Sequence, residues 1–226
     1  MSASRDHILG GIRAGLGRGA LDEAGSAALE ARLKAHRRNL IPARAASLSH
    51  QDQIALFVSM AEEVSATVAR VGSAEDVPGA VADYLTRQNL PARLVMAPDP
   101  RLEAIPWQNQ PLLELRRGMA EDGDAAGITA SFAAIAETGT LMLVSGPESP
   151  TRNNFLPDTH VVVLRADQVV GAYEDGWDRL RAAGAMPRTV NFITGPSRTG
   201  DIEQRLVLGA HGPRRLHIVL IDDAAR

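Results

Sequence analysis

The chain has 226 residues, of which 45% are hydrophobic and 4% aromatic, so a core of Ala, Val, Leu and Ile can support one large α/β domain or two small ones. Its formal net charge of −3, from 24 basic and 27 acidic residues, argues against a protein that binds nucleic acid or membranes through charge. It contains no cysteine, which excludes disulfides, thiolate nucleophiles and the usual ligands of iron–sulfur clusters; any redox centre is expected on another protein.

The first third of the chain has helical periodicity. Apolar residues recur at helical spacing in residues 4–16, 21–40 and 51–71. We therefore assign residues 1–50 to an N-terminal helical arm and residues 51–226 to an α/β domain; whether the arm packs on another subunit or partner stays open.

From about residue 75, helical and strand-like segments alternate. Uninterrupted apolar runs at residues 161–164 and 218–221 are typical of strands covered on both faces. This alternation predicts a three-layer α/β/α sandwich with a mainly parallel sheet. The predicted helices are 76–88, 176–183 and 201–209; the predicted strands are 92–98, 160–170, 188–195, 215–223 and the two sides of 127–146.

Targeting and metal signals are not found in the sequence. No stretch approaches the roughly 20 apolar residues of a membrane helix, and the N-terminus is not of the signal-peptide type. The six histidines form no tight ligand spacing. We expect no membrane span, a cytoplasmic location and no metal site.

The first candidate site is the segment 193–206, ITGPSRTGDIEQRL. Its order, a strand, a Gly-Pro turn and then a helix, predicts an anion site at the carboxyl end of the strand, where helix N–H groups face the ligand. Arg198 would bind a carboxylate or phosphate, with Ser197 and Thr199 beside it. Asp201 argues against a polyphosphate. The alternative is that Ser197 or Thr199 only caps the helix and Asp201 is a first-turn acid.

The second candidate site lies in the segment 136–160. Glu137 stands in an apolar setting between two strand-like segments, as a general base or nucleophile would. Thr138, Gly139 and Thr140 follow it, and Gly139 would let the backbone approach a ligand. Together they predict a ligand-binding turn.

Three further residues complete the predicted site. Arg152, in a turn-rich segment, is a second candidate anion ligand, with a plain surface arginine as the alternative. His160 precedes a strand, where it would transfer protons or pair with backbone. His211, flanked by glycines in GAHGP, would face a ligand or mark a helix stop and turn.

Several ordered motifs resemble the lactate utilization protein C (LutC/YkgG-like) family of LUD-domain proteins. The motifs are AETGTLML, TRNNFLPDTH, TGPSRTGDIEQRLVLGAHGP and LHIVLID, and the resemblance covers roughly residues 75–223. One departure is Asn-Asn-Phe at 153–155, where the family more often has small or hydroxyl residues.

The resemblance implies a fold similar to the ribose-5-phosphate isomerase, glucosamine-phosphate isomerase (NagB/RpiA) and CoA-transferase group. It also implies a role in oxidising L-lactate to pyruvate with partner proteins that carry iron–sulfur clusters. The absence of cysteine agrees with a chain that holds no cofactor of its own.

These observations lead to three hypotheses. The first is a subunit of an L-lactate-oxidising system whose cleft binds a small anionic metabolite. The second is a stand-alone isomerase or CoA-transferase-type enzyme acting on a sugar phosphate or acyl-CoA, with Glu137 as the covalent residue. The third is a non-catalytic scaffold or regulator. Whether the chain forms a homo-oligomer stays open.

Overall fold

Two compact units make up the structure. The computed structural model describes residues 3–17, 19, 21–38, 40–202 and 205–222, with every side chain among them except those of residues 46, 200–202 and 205–207. The units are residues 1–40 and residues 41–226. The predicted arm of residues 1–50 stays a prediction.

The first unit consists of two helices, α1 (Ala3–Gly15) and α2 (Glu23–Ala35). Asp22 caps the start of α2, because its carboxylate accepts a hydrogen bond of 2.7 Å from the amide of Gly25. None of the described residues of the two helices is buried.

The second unit contains the remaining elements. Its helices are α3 (Ala43–Ala46), α4 (His50–Glu63), α5 (Val77–Arg87), α6 (Pro100–Glu103), α7 (Arg152–Phe155) and α8 (Tyr173–Ala182). Its strands are β1 (Thr67–Val71), β2 (Arg93–Met96), β3 (Glu114–Arg117), β4 (Ala126–Ala130), β5 (Ala133–Ile135), β6 (Thr140–Val144), β7 (Thr159–Arg165), β8 (Val169–Val170), β9 (Val190–Ile193), β10 (Arg198–Ile202), β11 (Arg205–Leu208) and β12 (Arg215–Ile221). Among the described helices, none is long and apolar enough to cross a membrane.

A six-stranded parallel sheet in the order β1-β12-β7-β4-β2-β3 forms the centre. Successive side chains of a strand point to opposite faces, so Val161 and Val163 pack with α5 while Val162 and Leu164 pack with α4. Burial on both faces explains the uninterrupted apolar runs. The predicted α/β class and mainly parallel sheet are confirmed.

The helix predicted for residues 51–71 ends early. Helix α4 stops at Glu63, and β1 follows after Ser65, which has a positive φ of 70°. Thr67, Val68 and Val71 are β-branched and favour a strand. The spacing of the apolar residues in this segment was compatible with a longer helix or with a strand.

The helix predicted for residues 201–209 is wrong. Strands β10 and β11 instead form an antiparallel hairpin, in which Arg198 faces Leu208 and Thr199 faces Val207. The apolar pair Ile202 and Leu206 has helical spacing, but the segment is equally rich in β-branched residues.

A second, four-stranded sheet has the order β8-β5-β6-β9. Strand β6 runs antiparallel to both β5 and β9. The turn between β5 and β6 contains Gly139, which has a φ of +62°. A Cβ on Gly139 would collide with the backbone of Met60 and Ala61 in α4. Gly139 therefore allows the turn to lie against a helix, whereas the sequence suggested an approach to a ligand.

Replacing Gly139 with alanine combines backbone strain and a steric clash. We expect Gly139→Ala to lower the free energy of unfolding by about 2–6 kcal/mol, measured by urea denaturation. Gly123 has a φ of +96°, and a Cβ there would meet no atom within 4 Å, so this position isolates the cost of backbone strain. Gly123→Ala should cost about half as much. Equal losses in the two variants would contradict the packing argument.

Candidate functional site

A cleft of about 270 Å³ brings together loops that are distant in sequence. It is lined by the loop from β9 to β10, the loop from β11 to β12, helix α7, and the beginnings of β7 and β12. Four predicted site residues line it: His160, Ser197, Arg198 and His211.

The cleft lies at the amino ends of the central strands, not at the carboxyl end of a parallel strand as predicted. His160 and Leu216 are the second residues of β7 and β12, and both line the cleft. Strand β9, which precedes the cleft loop, belongs to the antiparallel sheet. Because β10 (Arg198–Ile202) follows in place of a helix, the described part of this loop does not lead into a helix N-terminus that could supply N–H groups. That part of the predicted anion site is wrong.

Arg198 lies at the cleft and also touches the end of α4. Its guanidinium donates a hydrogen bond to the carbonyl oxygen of Val64, the residue that ends the helix. Such a contact satisfies a carbonyl at a helix C-terminus and complements the helix dipole. Gly195, with a φ of +74°, lets the same loop pass directly over Val64.

Ser197 joins the two loops of the cleft. Its amide donates to the carbonyl of Pro213 at 2.8 Å, and its carbonyl accepts from the amide of Gly209 at 3.0 Å. Its hydroxyl accepts from the amide of His211 at 3.3 Å. The side chain of His211 is exposed at the cleft.

Buried polar groups form the floor of the cleft. His160 is fully buried, and its Nε2 lies 2.7 Å from the hydroxyl of Thr129. Burial lowers the pKa of His160 from 6.5 to about 3, so the ring is neutral at physiological pH. Among the described residues, neither Nδ1 of His160 nor Oδ1 of buried Asn154 has a hydrogen-bond partner. Each such atom costs about 1–3 kcal/mol until it finds one.

Glu137 is buried but does not line the cleft. Its Oε1 accepts a hydrogen bond of 3.1 Å from the amide of Tyr173, the first residue of α8. A carboxylate at a helix N-terminus stabilises the exposed N–H groups and the dipole. The geometry explains Glu137 as a helix contact, and its catalytic role stays a prediction.

A network of hydroxyl groups connects the Glu137 turn to the cleft. Oγ1 of Thr140 lies 2.7 Å from Oγ1 of Thr138 and 2.7 Å from Oγ1 of Thr194. The Tyr173 hydroxyl lies 3.1 Å from both Thr138 and Thr140. Thr194 lines the cleft, so the two predicted segments meet at Thr140 and Thr194.

The remaining predicted residues lie elsewhere. Arg152 does not line the cleft and forms an exposed ion pair of 3.1 Å with Asp122. Thr199 is buried at 9% exposure and pairs with Val207 in the hairpin. The side chain of Asp201 lies outside the described residues.

Sequence reasoning missed Asn154, Thr194 and Phe155, which all line the cleft. The departure at 153–155 was a signal for Asn154 and Phe155, and Thr194 lies within the first predicted segment, 193–206. Asn153 is also buried, where it accepts from the amide of Ala120 and donates to the carbonyl of Gly118. Asn154 lines the cleft, and its Oδ1 has no hydrogen-bond partner among the described residues.

The buried histidines predict a loss of stability in acid. The pKa of His160 falls to about 3 and that of His217 to about 4, in both cases chiefly because of burial. Below about pH 6.5 the unfolded chain takes up protons at these rings that the folded protein does not, so the free energy of unfolding falls as pH falls. Each ring contributes about 1.4 kcal/mol per pH unit between about pH 6 and 4.

His160→Gln should reduce that slope by about 1.4 kcal/mol per pH unit, measured by urea denaturation at several pH values. His217→Gln, on the opposite face of the sheet core, should give the same reduction. A slope unchanged by His160→Gln would mean that the folded protein accommodates a charged ring at the cleft floor.

Comparisons with known proteins identify relatives of the chain. The sequence matches the LUD domain family over residues 54–221. Lactate utilization protein C of Deinococcus radiodurans is 34% identical over 155 residues, covering 66% of this chain and 70% of that protein. Lactate utilization protein C of Bacillus subtilis is 36% identical over 101 residues, covering 43% of this chain and 42% of the relative.

A solved structure shares the fold. The crystal structure of a DUF162 family protein from Deinococcus radiodurans aligns with a TM-score of 0.57 and 26% identity, covering 77% of this chain and 99% of that one. The resemblance identified from the motifs is confirmed. The match over residues 54–221 spans most of the chain, which therefore belongs to the LUD domain family.

Proposed function

We propose that the chain acts in lactate utilization, as the subunit without a cluster in an L-lactate-oxidising system, and that its cleft binds a small 2-hydroxy carboxylate. The relatives named lactate utilization protein C support the process. The buried polar floor of the cleft supports the ligand class.

The unpartnered atoms of two residues that line the cleft carry the proposal; both atoms are buried, and we propose that the ligand reaches them by displacing part of the lining. Oδ1 of Asn154 can only accept a hydrogen bond, and Nδ1 of His160 donates or accepts according to the tautomer of the ring. A hydroxyl group is both donor and acceptor and suits this pair. Lactate offers such a hydroxyl beside its carboxylate, whereas the keto group of pyruvate can only accept.

The carboxylate of the ligand would lie toward the loop from β9 to β10. Arg198 and Ser197 both line the cleft there. Contact with Val64 holds the guanidinium in place, which reduces the entropy lost when an anion binds. A guanidinium also provides the charge-assisted hydrogen bonds that favour a carboxylate.

The electrons leaving lactate must pass to another protein in this proposal. Oxidation of lactate to pyruvate removes two electrons and two protons, and the chain has no cysteine to hold an iron–sulfur cluster. We therefore propose partner proteins that carry those clusters. In this proposal the ring of His160, neutral and buried, holds the hydroxyl of the ligand in one orientation.

Binding to the purified chain tests the ligand class. L-Lactate should bind with an affinity on the order of millimolar to micromolar, measured by calorimetry. Propionate, which lacks the hydroxyl, should bind about tenfold or more weakly because it leaves the floor atoms without partners. Pyruvate should fall between the two.

Asn154→Ala should remove most of the preference for lactate over propionate. Asn109→Ala, at an exposed asparagine outside the cleft, is the matched control and should preserve it. A preference that survives Asn154→Ala, or equal binding of lactate and propionate by the unmodified chain, would contradict the proposed ligand.

Growth tests the process separately. Deleting the gene should abolish growth on L-lactate as sole carbon source, and the full-length chain should restore it. Complementation with Asn154→Ala should fail, while Asn109→Ala should succeed. Undiminished growth of the deletion strain would remove the role in lactate utilization.

A further inference from the structure

A second cavity, of about 320 Å³, opens at the other edge of the central sheet. Ala130, Val163 and Ile221, at or near the carboxyl ends of β4, β7 and β12, line it. Leu102 and Ile105 complete a largely apolar wall. Open α/β sheets bind their ligands in crevices at this edge.

The polar part of this cavity is built around Arg101. Its Nε and Nη2 donate to the carboxylate of Asp99 at 3.0 and 2.6 Å, and its Nη1 donates to the carbonyl of Ser131 at 2.8 Å. Asp99 is only 2% exposed, so the guanidinium is held by a buried anion. A guanidinium has five N–H donors, and two of Arg101's have no partner among the described residues.

The side chain of Gln168 and the carbonyl of Ser131 already have hydrogen-bond partners, so Arg101 is the group that remains for a ligand. Nε2 of Gln168 donates to the same carbonyl of Ser131 at 2.8 Å, and its Oε1 accepts from the amide of Arg165 at 2.8 Å. The carbonyl of Ser131 therefore has two donors and its acceptor capacity is filled.

Charge balance decides what kind of anion suits the cavity. Arg101 is paired with Asp99, and Nε of Arg165 lies 3.7 Å from Asp167. The four groups sum to no net charge. A doubly charged phosphate would add two negative charges to a group of residues with no excess of cations, whereas a carboxylate adds one and matches the fork of a single guanidinium.

We propose that this cavity binds a monocarboxylate with an apolar body, either aromatic or branched aliphatic. The carboxylate lies on the remaining N–H groups of Arg101, and the body packs against Leu102, Ile105 and Val163. The proposal does not depend on the lactate cleft. His160 and Arg165 mark the two sites on β7, five residues or about 17 Å apart.

Titration of the full-length chain with phenylacetate, followed by calorimetry, tests the proposal. Binding should be saturable, and neither inorganic phosphate nor L-lactate at the same concentration should displace the ligand. Arg101→Met should weaken binding by at least about tenfold. Because that variant leaves Asp99 buried without its partner, a second variant that keeps every hydrogen bond is needed.

Ala104→Leu provides it. Ala104 is exposed, lines the cavity and ends α6 with φ −73° and ψ −11°. Ala183 is exposed, ends α8 with φ −72° and ψ −11°, and does not line the cavity, so Ala183→Leu is the matched control. Ala104→Leu should weaken phenylacetate binding by at least about tenfold, because the larger side chain takes up part of the cavity. Ala183→Leu should bind phenylacetate as the unmodified chain does.

Three results would overturn the proposal: no saturable binding, equal affinities of Ala104→Leu and Ala183→Leu, or displacement by phosphate. Failure of the lactate proposal looks different. If only the lactate proposal is wrong, lactate binding or the effect of Asn154→Ala will be absent while phenylacetate binding persists.

Discussion

The carboxyl end of helix α4 holds the proposed lactate cleft together. Two glycines with positive φ, Gly139 and Gly195, press their turns against its backbone at positions where a Cβ would collide with Met60, Ala61 or Val64. Arg198 then donates to the carbonyl of Val64. Because both turns rest on the same helical turn, their distance from each other is fixed. Protein interiors are too closely packed for either turn to shift alone.

That shared support places the threonine hydroxyls in contact. Thr140 follows the first glycine and Thr194 precedes the second, and their Oγ1 atoms lie 2.7 Å apart. A segment from the middle of the chain thus reaches a loop more than fifty residues later through one short hydrogen bond. Thr140 is fully buried, where such a bond is strengthened by the low local dielectric. The cleft loop is positioned by packing and by this network, and Glu137 stabilises α8 beside it.

Sequence patterns predicted the central sheet better than the site. Uninterrupted apolar runs such as 161–164 indicate burial on both faces, and their β-branched valines favour a covered parallel strand over a buried helix. The hairpin of β10 and β11 was mistaken for a helix because Ile202 and Leu206 fit a helical repeat, and only pairing between strands separates the alternatives.

Of the residues that the motifs grouped, Ser197, Arg198, His160 and His211 line one cleft. Glu137 and Arg152 were grouped with them by the chemistry of their side chains, which does not determine which face of a turn a side chain occupies. Burial of Asn154 depends on α7 packing against β4 and β7, which no local pattern reports.

One parallel sheet therefore presents two different chemical environments at its two edges. At the amino edge, buried His160 and Asn154 leave polar atoms without partners, a cost that the surrounding fold must offset. At the carboxyl edge, Asp99 and Ser131 hold Arg101 in place, two of its N–H groups have no partner among the described residues, and the walls are largely apolar. The first environment favours a ligand that supplies hydrogen bonds, and the second favours a ligand with apolar surface and a single negative charge. The length of strands β7 and β12 separates the edges, and the two linings have no residue in common, so substitutions at one proposed site are expected to leave the other unchanged.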